Sequence, residues 1–149
     1  MRLTIEIAKE QQAIPIDQAR LKRGVRQVLR AAGIEAGEIS VAIVDDARMH
    51  ELNRQYLGHD YPTDVLSFVL EFDPEEQSLD GEIIVSAEYA AREAVRYGWS
   101  TDDELLLYVI HGSLHLVGHD DTTPEARQKM REAEAEQLAT FRLTHRYES

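Results

Sequence analysis

With 149 residues and no cysteine, the chain is long enough to bury one core, but it can build neither a disulfide framework nor a thiolate metal site. A formal net charge of −12 argues against a generic nucleic-acid binder, because phosphate neutralisation needs clustered lysine and arginine; a local basic surface remains open. No apolar run approaches a membrane span, and Met1-Arg2-Leu3-Thr4-Ile5-Glu6 is too polar for a signal peptide, so a reducing, cytoplasmic setting is expected.

Leu3, Ile5 and Ile7 alternate with polar neighbours, as in a half-buried strand over residues 2–7. Asp17 is placed to cap a helix through Ala32 that Gly33 closes, with Leu21, Val25, Val28 and Leu29 at helical spacing. Arg20, Lys22, Arg23, Arg26 and Arg30 lie in that helix without an acidic residue among them, and Arg23, Arg26 and Arg30 share one face. That face reads either as a solvated helix surface or as a track for nucleic-acid phosphates. Ile39 to Val44 is a second strand, and Asp45 then caps a short helix over 46–56 that buries Met49, Leu52 and Tyr56. Gly58, His59, Asp60 and Pro62 form a turn cluster. His59 reads there as an exposed loop residue or as a polar group at a site.

Val65 to Phe72 and Glu82 to Val85 are the third and fourth strands, and the acidic segment Asp73 to Asp80 would join them as a long-looped hairpin. Ser86 caps a helix over 87–97 that Gly98 closes. Thr101-Asp102-Asp103-Glu104 forms a capping box for a helix through Leu105, Leu106, Val109 and Ile110. That helix is apolar over much of its surface and should be the most buried. Thr123 and Pro124 open a last helix to about Phe141, in the favoured cap and first positions. The sum is a single α+β domain over residues 1–149, a small mixed sheet of about four strands packed with about five helices.

The chemistry concentrates on the helix before the last, in His111-Gly112-Ser113-Leu114-His115-Leu116-Val117-Gly118-His119-Asp120-Asp121. Histidines four apart stack on one helix face with Cβ atoms roughly 5–6 Å apart, which suits two imidazoles converging on one ion. Gly118 can take the left-handed position that stops a helix, so the chain can turn back and offer His119, Asp120 or Asp121 as a third ligand. The spacing follows the metzincin pattern His-Glu-x-x-His-x-x-Gly-x-x-His, with Asp121 where its third histidine falls. Gly112 occupies the place of the glutamate that serves peptidases as general base, so the frame suits a metal but lacks that base.

The run from His111 to Asp120 also strongly resembles the signature of the YbeY family, bacterial endoribonucleases that mature small-subunit ribosomal RNA. Leu52-Asn53, Tyr56, Asp60 and Pro62-Thr63-Asp64-Val65-Leu66-Ser67-Phe68 resemble a second motif of that family, and Gly81-Glu82-Ile83-Ile84-Val85-Ser86 a third, in the expected order. The resemblance implies a zinc-dependent, single-strand-specific endoribonuclease acting on the 3′ end of 16S rRNA and in ribosome quality control. It implies one Zn2+ per chain held by His111, His115 and Asp121, with Asp121 standing where the family has a third histidine. Asp120 matches the family's aspartate and can orient a ligand or accept a proton; His119 reads as a wall of the site. The second motif borders the metal cleft by resemblance, which makes Asp64 and Ser67 candidate substrate contacts beside His59 and the arginines Arg23, Arg26 and Arg30. Implied partners are rRNA, the small ribosomal subunit and ribosome-associated proteins, with no membrane. One departure bears on activity: after Tyr56 the family pattern has an arginine, and this chain has Leu57. A non-catalytic ribosome-assembly factor with a structural metal, and a metal-dependent hydrolase of another substrate, remain the alternatives.

Overall fold

A computed structural model describes residues 2–56 and 65–146. Its elements run β1 (Leu3–Lys9), α1 (Gln18–Ala31), β2 (Gly37–Val44), α2 (Asp46–Tyr56), β3 (Val65–Asp73), β4 (Ser78–Ser86), α3 (Ala87–Tyr97), α4 (Thr101–Leu116) and α5 (Pro124–Ala139). The four strands form one sheet in the order β1-β2-β4-β3. β1, β2 and β4 are parallel, with Ile39 opposite Gly81 and Ile43 opposite Val85, while β3 returns antiparallel along β4 with Ser67 opposite Ile83. This is the mixed sheet and α+β arrangement that the sequence implies.

Period-two alternation decides what each face of the sheet covers. Ile39, Val41 and Ile43 of β2 and Leu79, Ile83 and Val85 of β4 join one core with α1 and α4. The opposite face carries a smaller cluster of Val44, Met49, Leu52, Leu66 and Ile84 beneath α2. Helix α4 is buried on all sides from Glu104 through Ile110, as expected of a helix apolar around its circumference. It packs against the sheet as well as α1, α3 and α5, and this anchorage holds its C-terminal turns, which bear the histidines, in place.

The anticipated caps of α1, α3 and α5 form: Asp17, Ser86 and Thr123 accept from the backbone N–H groups of Arg20, Tyr89 and Ala126. Two local expectations shift. The capping box of α4 uses Ser100 and Asp103, with the Ser100 hydroxyl 3.0 Å from the Asp103 N and the Asp103 carboxylate 3.3 Å from the Ser100 N. Glu104 is drawn into the interior instead, where it accepts the Trp99 indole N–H at 2.7 Å. The β3–β4 connection is also tighter than a loop over 73–80, because β3 continues to Asp73 and β4 begins at Ser78. Leu79, only 1 % exposed, anchors that extension under the sheet, and Gln77 takes a left-handed φ of 51° to close the turn.

Candidate metal centre

The end of α4 builds the site. Gly118 adopts φ 106°, a conformation open to glycine, and the helix closes with His119 N–H donating to the Leu114 carbonyl and Gly118 N–H to the His115 carbonyl. The chain reverses through a turn in which the Asp120 carboxylate accepts from the Thr122 N at 3.2 Å and its hydroxyl at 3.3 Å. Asp120 thus shapes the turn, and Asp121 is carried back towards the helix, its carbonyl receiving the Arg127 guanidinium at 3.3 Å.

His111 Nε2 and His115 Nε2 lie 3.1 Å apart, and the Asp121 Oδ2 lies 3.6 Å from each. Tetrahedral bonds of about 2.0–2.1 Å place ligand atoms roughly 3.3 Å from one another, so this triangle fits a zinc-sized ion with one position left open. Burial, followed by the neighbouring His111, pushes the His115 pKa down, although Asp121 pulls the other way. The neutral imidazole that results is the form that binds metal.

A fourth group, which sequence reasoning missed, fixes the orientation. The His111 Nδ1 lies 2.6 Å from Glu134 Oε2, so a neutral His111 donates Nδ1–H to the carboxylate and directs the Nε2 lone pair into the triangle. Glu134 is fully buried, and its other oxygen receives His145 Nε2 at 2.6 Å and Arg131 Nη1 at 2.9 Å. Burial opposes its ionisation, but the hydrogen bonds from His111 and His145 and the charge of Arg131 outweigh that and hold its pKa at about 2. A signal existed in the sequence: Met130, Glu134 and Leu138 form the buried stripe of α5, and a carboxylate on an apolar stripe needs a partner. Glu134→Gln is expected to lower zinc affinity 10–100-fold in a chelator competition, the usual cost of losing the carboxylate behind a metal-bound histidine.

The other expected site residues are placed as follows. Ser67 is half-buried on β3, and alternation puts it on the same sheet face as Val65, which packs near Gly112 of α4. His119 is half-buried just past the end of α4 and is not among the three converging groups. Arg23, Arg26 and Arg30 are not gathered at the centre. The Arg23 guanidinium lies over the Phe141 ring, Arg26 donates to the Leu3 carbonyl at 2.8 Å, and Arg30 is exposed near the end of α1. Leu57, His59, Asp60, Asp64 and the Tyr56 side chain lie outside the described residues. Among the described residues, no helix is long and apolar enough to cross a membrane.

The family model and the curated relatives that match this chain carry the same name. A family model described as Endoribonuclease YbeY matches residues 6–142. The Endoribonuclease YbeY of Rhodopirellula baltica is 41 % identical over 144 residues, covering 89 % of this chain and 73 % of the relative. That of Pelotomaculum thermopropionicum is 40 % identical over 151 residues, covering 95 % of this chain and 99 % of the relative. The solution structure of TM1509 from Thermotoga maritima superposes with a TM-score of 0.60 at 28 % identity, covering 93 % of this chain and 91 % of that one.

Proposed function

The chain belongs to the Endoribonuclease YbeY family, and from that membership we propose that it is a zinc-dependent, single-strand-specific endoribonuclease. Its proposed task is maturation of the 3′ end of small-subunit rRNA and ribosome quality control in the cytoplasm, with rRNA, the small subunit and ribosome-associated proteins as partners. The observation that carries the metal-dependent reading is the triangle of His111, His115 and Asp121, whose edges match a tetrahedral ion.

When bound, zinc supplies a Lewis acid that polarises a phosphoryl oxygen and acidifies water. The protein's own residues do the remaining work. Glu134 locks the tautomer and ring plane of His111, and the low pKa of His115 keeps its lone pair available. Asp120 builds the turn that delivers Asp121, and its exposed carboxylate is the proposed proton acceptor. Asp121 is anionic where the family has a neutral imidazole, so it lowers the net charge on the ion and should acidify water less than a third histidine. His59, Asp64, Ser67 and His119 are proposed to border the RNA strand, with Arg23, Arg26 and Arg30 as a more distant phosphate track.

The test is cleavage of single-stranded RNA by zinc-loaded protein, beside chelated protein and the variants Asp121→Ala and His119→Ala. The expected result is about one zinc per chain and chelator-sensitive cleavage, both lost in Asp121→Ala, with zinc retained in His119→Ala. Leu57 in place of an arginine favours a second reading, a non-catalytic assembly factor with a structural metal. Stoichiometric zinc that raises thermal stability without any RNA turnover would select that reading.

A further inference from the structure

A polar cavity of about 230 Å³ opens directly beside the centre, lined by His111 and Asp121 together with Arg131, Glu134, Tyr108 and Arg146. We propose that Arg131 and Arg146 make this cavity a phosphate-binding subsite that receives a phosphodiester group of the strand entering the centre. The proposal rests on the ribonuclease reading above for the identity of that strand.

Geometry and charge both support it. Arg131 and His111 meet on the same carboxylate: Glu134 takes His111 Nδ1 on one oxygen and Arg131 Nη1 on the other. One imidazole width therefore separates the carboxylate that holds Arg131 from the point where His111 and His115 converge. Arg131 still exposes 42 % of its side chain, so part of it remains accessible to a ligand. Arg146 is held from the other side, with Nη2 3.3 Å from Glu104 Oε2, its guanidinium 4.0 Å over the Tyr97 ring and 7 % of its side chain exposed. Both guanidiniums are thus positioned before any ligand arrives, and a planar fork of N–H donors is the side chain best matched to phosphate oxygens.

Two arginines line this one cavity in a chain whose net charge is −12. The cavity gathers two guanidiniums beside the carboxylates of Asp121 and Glu134, with Glu104 behind Arg146, and a divalent ion held by the triangle would tip that balance towards positive for a phosphodiester anion to neutralise. A salt bridge alone would explain Arg131 as a partner of Glu134. It would not explain why a second arginine, from the segment after α5, lines the same cavity as two members of the metal triangle.

The direct test is an NMR titration of zinc-loaded wild-type protein, following the arginine Nε–H signals, with inorganic phosphate in one arm and a short 2′-O-methyl oligonucleotide in the other. Both ligands are expected to shift the Arg131 and Arg146 signals. In parallel, oligonucleotide affinity should fall at least tenfold in Arg131→Gln with zinc stoichiometry unchanged, and the salt dependence should lose about one phosphate contact. Arg131→Lys keeps a cation beside Glu134 but loses the fork, and is expected to recover only part of the affinity. An Arg131 signal that does not move at saturation, or an Arg131→Gln affinity within twofold of wild type, overturns the subsite. Should Arg131→Gln lose zinc, the wild-type titration decides alone. Binding through Arg131 without cleavage would keep the subsite and remove the ribonuclease reading; cleavage with Arg131 silent would do the opposite.

Discussion

Replacing His115 with alanine is expected to abolish stoichiometric zinc binding and RNA cleavage while leaving the fold in place. The His115 side chain is 28 % exposed in the last turn of α4, so its removal opens no closed cavity in the core. The zinc-free variant should therefore melt close to zinc-free wild type, as half-exposed positions usually allow. What it removes is one corner of the triangle, leaving His111 and Asp121 as a pair. The distinction shows in stability. Zinc at about 100 times its Kd should stabilise wild type by about 2.7 kcal/mol, or roughly 5–10 °C in a chain of this size. For His115→Ala that rise should vanish, and the loss should exceed the 10–100-fold expected of Glu134→Gln. Calorimetric melts with and without zinc, beside metal analysis by mass spectrometry, measure both. A variant that keeps one zinc per chain would remove His115 from the centre.

How far the sequence alone reaches depends on whether a feature is local. The caps at Asp17, Ser86 and Thr123, the left-handed closures at Gly98 and Gly118, and the histidine pair are set by residues within a few positions of one another, and all were legible. The α4 box shows the resolution of such reasoning. Ser100-Thr101-Asp102-Asp103-Glu104 offers two boxes one residue apart, and the choice falls to a tertiary contact, Glu104 turning inward to Trp99. The acidic segment Asp73 to Asp80, with Pro74 near its start, reads as a loop, yet pairing with β3 and the burial of Leu79 carry β4 back to Ser78.

Glu134 was the larger omission, and its cause is distance along the chain. It lies 23 residues beyond His111, and only the packing of α5 on α4 brings the two to 2.6 Å. His145, 11 residues further on, is joined to the same carboxylate by the chain that returns after α5. The histidine motif offers two ligand atoms on one helix face, and the fold supplies the carboxylate that aims one of them.

Gly112→Glu, which restores the residue a zinc peptidase would carry, is expected to destroy the fold rather than create a peptidase. A glycine inside a helix costs roughly 1 kcal/mol relative to alanine, so α4 keeps one there only against that cost. The reason is contact with the sheet. A Cβ on Gly112 would stand 2.9 Å from Ile83 Cγ2 and 3.2 Å from Val65 Cγ1, and the position is fully buried. Alanine gains helix propensity and loses it again to overpacking, which costs about 1–3 kcal/mol. Glutamate adds a carboxylate between α4 and the β3–β4 pair, where burial of an unpaired charge costs several kcal/mol more. Against a total stability of about 5–15 kcal/mol, that is enough to unfold much of the population. Denaturant melts of Gly112→Ala and Gly112→Glu separate the two contributions, with the alanine variant folded and the glutamate variant largely not. A Gly112→Glu protein that melts like wild type and cleaves peptides would mean that this position opens onto the cleft. The metzincin-like spacing would then extend to the chemistry, whereas a collapse of the fold confines it to the geometry of holding an ion.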